Sequence, residues 1–419
     1  MIYKFPHPEW FDGVEKPQIS SEDTIILWGA GKLGGVVAHA IKSSGLRIAA
    51  FVDSANDKQG TIYLDCPVIS PHQLYTQYSN AIVIVSCAFP IVYDELQKDS
   101  AVTVYDPHSF LLEIDFSGYV GGLTFEFASR IVENALRNYA LYYGTGSFIE
   151  QLAFLLTDKC TLNCKNCDGY IPFHAHPKTD SLDTIKNSYK KIIEVCGHVE
   201  IINLLGGEPL LHPDIAQVTR YFANDNRCSH VAIISNGTIV PKPELIDILK
   251  SPKCTFRISD YGNLSRHKDE IIALLEKEKI KYEVTNYQYW DRIPTIQQRY
   301  ETSEQLNAKY AACTANLFYV KHGKLFQCTF VAGLSDLGRS MLPDFEKNYV
   351  DLFPQSNKDV TLQVEKFVQQ LHLRQHLDAC KYCPGSHCLH LENKVPVAEQ
   401  AKGRLPLDLL YKDGVRPCD

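Results

Sequence analysis

The chain has 419 residues, enough for two to four domains that each bury a core of their own. A hydrophobic share of 45% with 22% charged residues belongs to a folded globular protein and excludes a disordered or fibrous chain. The net charge of -7 runs against a nucleic-acid surface, which is ordinarily basic, so no nucleic-acid partner is expected.

The first residues, Met1-Ile2-Tyr3-Lys4-Phe5-Pro6-His7, lack the apolar core of a signal peptide, and no run reaches the roughly 18 apolar residues of a membrane helix. A cytoplasmic chain without a membrane partner is therefore expected. In that compartment thiols stay reduced, so the 14 cysteines are not read as a disulfide framework; their clustering points to metal.

Residues 1–145 open with an apolar, β-branched run, Thr24 to Trp28, followed at once by Gly29-Ala30-Gly31-Lys32-Leu33-Gly34-Gly35 and a helical pattern through Val36, Val37, Ala40 and Ile41. Strand, glycine turn and helix is the order that a nucleotide site requires. Gly29 permits the tight turn, Gly31 lets backbone approach a pyrophosphate, Gly34 lets the helix pack closely, and the helix N-terminus faces the phosphates. A second strand, Ile48 to Val52, ends in Asp53, where an acidic residue would meet a ribose hydroxyl, and Ala81 to Val85 supplies a third. This predicts a Rossmann-like domain, which either holds a nucleotide or keeps the fold with an altered pocket. The runs Gly29 to Gly34, Phe51-Val52-Asp53 and Gly60 through Pro67-Val68-Ile69 resemble the small nucleotide-sugar-binding domains that precede some sugar acyltransferases. The resemblance implies a nucleotide or nucleotide-sugar ligand.

Residues 146–295 alternate between strand and helix patterns, which predicts parallel β/α units. The strands are Leu152 to Leu156, Val199 to Leu205, Val231 to Ile234, Thr255 to Ile258 and Tyr282 to Thr285. The helices run from Leu182 to Ile193, with Gly197 ending the turn, and around Asp214 to Phe222, Glu244 to Leu249 and Ile271 to Leu275. In parallel β/α folds functional groups gather at the C-terminal ends of the strands. Cys160 to Cys167, Gly206 to Pro209, Ser235 to Thr238 and Arg257 to Asp260 each follow a predicted strand, so all four converge on one rim. There the glycines would let backbone approach a ligand, and Glu208, Asn236 and Ser259 would hydrogen-bond to it. The expected architecture is a partial (β/α)6 barrel, open on one side for substrate.

Cys160, Cys164 and Cys167 are separated by three and then two residues. Thiolates suit iron–sulfur clusters and zinc, so the spacing fits a cluster, a structural zinc completed by His174 or His176, or buried thiols. A 4Fe-4S cluster on three cysteines would keep one iron open to a ligand that is not protein. This CxxxCxxC run, together with Gly206-Gly207-Glu208-Pro209, resembles the radical S-adenosylmethionine (radical SAM) enzymes. The resemblance implies that the open iron chelates the amino and carboxylate groups of S-adenosylmethionine. It implies that Gly206, Gly207, Glu208 and Pro209 hold the methionyl amino group, that Ser235 and Asn236 lie at the ribose, and that Arg257 or Ser259 reaches the ribose or carboxylate. It also implies cleavage of the carbon–sulfur bond to a 5′-deoxyadenosyl radical, driven by an electron donor such as flavodoxin or ferredoxin. In one departure, many relatives place an aromatic residue before the third cysteine, near the adenine, where this chain has Asn166.

In residues 296–419, Cys313 and Cys328 flank a predicted hairpin (Phe318-Tyr319-Val320, His322-Gly323, Leu325-Phe326), and Cys380-Lys381-Tyr382-Cys383 follows. Four thiolates would close either a complete cluster or a zinc ion. The arrangement resembles the auxiliary-cluster domains called twitch and SPASM. The SPASM type needs about seven or eight cysteines, and only Cys388 and Cys418 remain nearby, so the twitch type with one auxiliary cluster is expected. Cys66, Cys87, Cys196, Cys228 and Cys254 read as packing thiols, and His387 and His390 as surface residues or partners of a ligand. The α/β chain is thus read as a radical SAM enzyme acting on a small polar substrate, a sugar or nucleotide-activated sugar. A peptide-modifying maturase is the competing enzyme reading and a cysteine-rich zinc-binding protein the non-enzyme one. Among Tyr170, His174, Tyr261 and Asp291, spacing singles out no catalytic acid or base.

Overall fold

The computed structural model describes residues 1–419 except 79, 88, 89, 99, 100, 144–147, 294, 314–316, 339, 340, 356–358, 373, 374, 386–393 and 412–419. Cys388, Cys418, His387 and His390 therefore lie outside the described residues. Contacts divide the chain into two compact units, Met1–Ser147 and Phe148–Asp419.

The first unit runs β1 (Ile2–Lys4), β2 (Ile25–Trp28), α1 (Lys32–Ser43), β3 (Ile48–Val52), β4 (Ile62–Tyr63), β5 (Cys66–Ile69), α2 (Pro71–Gln77), β6 (Ile82–Val85), α3 (Pro90–Gln97), β7 (Thr103–Tyr105), α4 (His108–Leu111), β8 (Glu113–Asp115) and α5 (Phe125–Tyr143). Strands β2 to β7 form one sheet in the order β4-β5-β3-β2-β6-β7, parallel except where β4 meets β5. Ile25, Ile26, Leu27, Val83, Ile84 and Val85 are all buried, as continuous apolar runs must be in a parallel sheet covered on both faces. Connection order reverses at β2, so the turn at Gly29 stands at the switch point of a doubly wound sheet.

The second unit runs β9 (Phe148–Leu155), α6 (Leu182–Cys196), β10 (His198–Leu205), α7 (Ile215–Ala223), β11 (Cys228–Ser235), α8 (Pro243–Leu249), β12 (Cys254–Asp260), α9 (Lys268–Lys277), β13 (Tyr282–Asn286), β14 (Trp290–Asp291), α10 (Ser303–Ala311), β15 (Phe318–Lys321), β16 (Lys324–Phe326), α11 (Thr329–Leu334), β17 (Tyr349–Asp351), α12 (Val360–His372) and β18 (Lys394–Val395). Its main sheet has the order β13-β12-β11-β10-β9-β15-β16-β17, with six parallel strands from β13 to β15. The two end strands do not pair with each other, so the sheet stays open.

The sixth parallel strand is β15, whereas the sequence placed Phe318 to Val320 in the hairpin of a separate domain. Phe318, Tyr319 and Val320 pair with Leu152, Ala153 and Phe154 of β9. All four residues of β15 are buried, which an isolated hairpin could not achieve. The sheet therefore continues across 295/296, and residues 148–419 form one compact unit. The hairpin itself is present: His322 and Gly323, both with positive φ, make the two-residue turn between β15 and β16.

Alternate strand residues, among them Phe154, Leu204, Ile233 and Phe256, are buried in one core with residues of α6 to α9. The opposite face carries Gln151, Asn203, His230, Thr255 and Arg257, a polar layer below the C-terminal ends of the strands. No helix among the described residues is long and apolar enough to cross a membrane.

Candidate active site

The loop after β9 carries Cys160, Cys164 and Cys167. The Cys160 Sγ accepts from the Leu162 N–H (3.4 Å) and lies 3.6 Å from Asn236 Nδ2, while the Cys164 Sγ accepts from Gln400 Nε2 at 3.2 Å. Burial pushes the thiols of Cys160 and Cys164 up to about 11 and that of Cys167 to about 12. Without a metal these groups stay protonated at neutral pH; a bound metal reverses that by taking the thiolate.

Gly206 and Gly207 serve this loop. The Gly207 and Glu208 amides donate to the Thr157 and Lys159 carbonyls (2.7 and 2.9 Å). A Cβ on Gly206, whose φ is 142°, would stand 2.5 Å from the Thr157 oxygen, and one on Gly207 would stand 2.2 Å from the Lys159 oxygen. The sequence assigned these glycines to close approach by a ligand. In the structure the close approach is that of the cysteine loop's own backbone.

Glu208 is fully buried at the end of β10. Its Oε1 accepts from Leu210 N–H (3.1 Å) and Ser235 Oγ (3.0 Å), and its Oε2 from Asn236 N–H (2.9 Å). Burial raises its carboxyl above the ordinary range, partly offset by those three donors. Asn236 also donates through Nδ2 to Thr161 Oγ1 (3.1 Å) and accepts through Oδ1 from Thr238 N–H and Oγ (3.1 and 2.6 Å). The Glu208, Asn236 and cysteine loops are thus one hydrogen-bonded body. Pro209 is buried beside them in a short 3-10 turn.

Arg257 lies deeper: its Nε donates to Glu283 (2.8 Å) and Nη1 to Asn203 Oδ1 (3.4 Å), among the polar layer. Ser259 is buried and its carbonyl accepts from Ser265 Oγ (3.2 Å). Tyr261 packs edge-on against Trp290, with ring centroids 5.3 Å apart, while Asn166 Oδ1 accepts from the Ile293 N–H (3.4 Å). Asp291 is bonded by Lys394 (2.7 Å), His174 Nε2 meets the Gly169 carbonyl (3.1 Å), and the buried Tyr170 hydroxyl has no hydrogen-bond partner among the described residues.

Cys313, Cys328, Cys380 and Cys383 all line one cavity, with Lys309, Tyr310, Phe330 and Leu377. Burial pushes Cys380 to about 12 and Cys383 to about 11, against the opposing pull of the Lys309 ammonium. Lys309 is tied there by Glu301 and by the Cys380 and Cys383 carbonyls (2.7 and 3.0 Å). Only one group of three His, Cys, Asp or Glu ligand atoms lies within 4.8 Å of one another among the described residues, namely Asp158, His322 and Asp336. Neither cysteine set is therefore gathered as tightly as one tetrahedral ion requires, since Zn–S bonds of about 2.3 Å bring sulfurs to within roughly 4 Å of each other. His174 does not complete a site with the triad either. The donor chemistry of both sets suits an inorganic core of several irons. At Asp158 and Asp336 the Lys321 ammonium, 2.9 Å from each, already occupies the place of a cation.

In the first unit, a Cβ on Gly34 would stand 2.0 Å from the Gly29 oxygen, so the helix and strand do pack closely there. Gly31 has open space where a side chain would be, and its carbonyl accepts from the Tyr63 hydroxyl (3.0 Å). Asp53, expected at a ribose, is engaged internally: Ala30 N–H and Lys58 Nζ donate to Oδ2 (3.0 and 2.8 Å) and Ala55 N–H to Oδ1 (3.0 Å). Burial raises its carboxyl, but Lys58 and the two amides outweigh burial and hold it below the ordinary range.

Sequence reasoning missed Gln400, Lys309 and the Lys321–His322 cluster. Gln400 stands 236 residues from the sulfur it meets, and no local spacing signals that contact.

Residues 154–259 match the family described as the Radical SAM superfamily. Residues 21–102 match a second family, described as C2185-like, N-terminal. An S-adenosylmethionine-dependent nucleotide dehydratase of Selenomonas ruminantium is 32% identical over 94 residues, 22% of this chain and 31% of that protein. A GTP 3′,8-cyclase of Actinobacillus succinogenes is 30% identical over 110 residues, 26% and 29% of the respective chains. The chain thus spans under a third of the length of these relatives. A solved structure of BtrN in complex with AdoMet and 2-DOIA aligns over 62% of this chain and 100% of its own, at 15% identity and a TM-score of 0.37.

Proposed function

We propose that the protein is a radical SAM enzyme that reductively cleaves S-adenosylmethionine and abstracts hydrogen from a small polar substrate. The observation that carries this reading is the joining of Cys160, Thr161, Glu208, Ser235 and Asn236 into one hydrogen-bonded network at the strand ends. Cys160, Cys164 and Cys167 would hold a 4Fe-4S cluster, which when bound supplies the electron that breaks the carbon–sulfur bond. Glu208 would accept from the methionyl ammonium, and Asn236 would orient the ribose while its amide holds Glu208 in place. Arg257 and Asn203 offer polar contacts below that site. Cys313, Cys328, Cys380 and Cys383 would hold an auxiliary 4Fe-4S cluster, with Lys309 beside it to offset negative charge.

The polar layer of Gln151, Asn203, His230 and Arg257 supports a hydrogen-bonding substrate over an apolar one. The two relatives named for a nucleotide and for GTP support a nucleotide or nucleotide-activated sugar, and so does the doubly wound first unit. A peptide substrate is the competing outcome. Iron and acid-labile sulfide per chain, measured after anaerobic reconstitution, test the metal sites. About eight irons in the parent should fall to about four in the Cys160→Ala, Cys164→Ala, Cys167→Ala variant, which should also lose cleavage of S-adenosylmethionine. A parent with about four irons that fall to none keeps the triad and removes the auxiliary cluster. Nucleotide-sugar binding to the full chain tests the substrate class, and tight binding of none of them removes that preference.

A further inference from the structure

We infer that Gln400 is a positioning residue of the cysteine triad: its side-chain amide donates a hydrogen bond to the Cys164 sulfur and thereby sets the electron affinity of the centre which that sulfur ligates. The inference rests on the proposed reading of the triad as a cluster site.

The geometry begins with a strap, residues 399–405, laid against the cysteine loop. The Lys165 N–H donates to the Glu399 carbonyl and the Ala401 N–H to the Asn163 carbonyl, both at 2.7 Å, a short antiparallel bridge centred on Cys164 and Gln400. Asn163 Nδ2 donates to the Ala401 and Gly403 carbonyls (3.1 and 2.9 Å), the Leu405 N–H to the Pro172 carbonyl (2.7 Å), and Lys165 pairs with Glu399. The backbone contacts alone would dock the strap. The Gln400 side chain adds something that docking does not need.

Its orientation is fixed by its neighbours. Oε1 accepts from the Asn163 N–H (2.8 Å), while Nε2 donates to the Ala398 carbonyl (2.6 Å) and to the Cys164 Sγ (3.2 Å). Turning the amide over would set NH2 against N–H and oxygen against a carbonyl, so only one orientation satisfies all three contacts. A hydrogen is therefore directed at the sulfur. Cys164 is 6% exposed, so little water competes for that position. A hydrogen bond donated to a metal-bound sulfur stabilises the more negative, reduced state and raises the reduction potential. A bond to a charged group is worth enough to move the one-electron equilibrium about tenfold.

The test is a redox titration of the reconstituted full chain monitored by electron paramagnetic resonance, with the triad alanine variant used to assign the two centres. Gln400→Glu keeps an acceptor for the Asn163 N–H but cannot donate to sulfur, and Gln400→Leu removes both functions. Glu399→Ala loosens the strap without touching the sulfur. The expected result is a shift of the triad centre alone to more negative potential in both Gln400 variants, larger for Glu, with iron retained and no shift in Glu399→Ala. Unchanged potentials in the Gln400 variants overturn the inference. An equal shift in all three variants also overturns it, because docking of the strap would then suffice. Iron lost from Gln400→Glu but kept in Glu399→Ala overturns it too, since a positioning role predicts a shifted centre and not an absent one. A parent that binds no iron at the triad removes the proposed function itself, before any variant is compared.

Discussion

Glu208 and Gly207 adjoin in the chain and act differently. Glu208 is an acceptor with three donors aimed at it, one of them the backbone N–H of Asn236. Replacing it with Gln keeps the shape but turns one acceptor into a donor, so at least one of those buried donors meets another donor. Such a loss costs about 1–3 kcal/mol. Because the same carboxylate is proposed to meet the methionyl ammonium, Glu208→Gln should weaken S-adenosylmethionine binding by tenfold or more while iron content stays at the parent's level. Isothermal titration beside an iron assay checks both. Gly207 is constrained by backbone: any side chain meets the Lys159 carbonyl at 2.2 Å and the Cys160 Cβ at 3.1 Å. Gly207→Ala must push the cysteine loop away, at a cost of about 1–3 kcal/mol, and should lower iron bound at the triad; parent-level iron with parent stability would contradict this account. That both residues stand together at the end of a strand was legible in the sequence, because a motif is a local signal. What the glycines approach was not, since that depends on a loop nearly fifty residues earlier in the chain.

At the scale of elements, the β15–β16 hairpin is tied to the cysteine loop by charge. The buried Lys321 ammonium lies 2.9 Å from both Asp158 Oδ1 and Asp336 Oδ2. His322 meets Asp180 (2.6 Å), Asp336 (3.1 Å) and Asp158 (3.3 Å). Lys321→Met would remove the fully buried cation from this cluster and leave Asp158 and Asp336 to share His322 alone between them, a loss of about 3 kcal/mol, and should lower the melting temperature of the second unit by several degrees. His322 gives this lock a pH dependence. Burial works against its proton, but hydrogen bonds to Asp158, Asp180 and Asp336 outweigh burial and raise it from 6.5 to about 10. The folded value lies above the unfolded one, so the proton stabilises the fold. That contribution is complete below about pH 6.5 and is lost as pH rises through about 10. Urea midpoints should therefore decline between about pH 6 and about pH 9, and His322→Gln should flatten the decline; equal slopes in parent and variant would sink the assignment. The hairpin was legible from His322-Gly323, the residues a tight left-handed turn demands. Its attachment to β9 was not, because parallel pairing across more than 160 residues leaves no periodicity to read.

Among the described residues the buried apolar side chains gather in two cores, one in each unit. One runs from Tyr3 to Ala140 and the other from Ile149 to Tyr411. The division near residue 147 was legible because a nucleotide-type βαβ pattern ends there and cysteine-bearing β/α units begin. The third domain drawn at 296 was suggested by the cysteines, which mark chemistry and not the limits of a core: Phe318, Leu325 and Val350 are buried with Ile149 and Leu152 in one cluster. This arrangement has a thermodynamic consequence. All seven cysteines proposed as ligands lie in the second unit, and a ligand that binds only the native state stabilises the part that folds around it. Calorimetry of the iron-loaded full chain should resolve two unfolding transitions. Removing iron with a chelator should lower one of them and leave the other, that of residues 1–147, where it was. The strap adds a further expectation, because Gln400 and Ala401 carry the cysteine loop's contacts to the far end of the chain. Trimming the chain before residue 398 should lower that same transition and hasten iron release. A single transition that moves as a whole with iron would mean that the two cores unfold as one, and the independence argued from their composition would be lost.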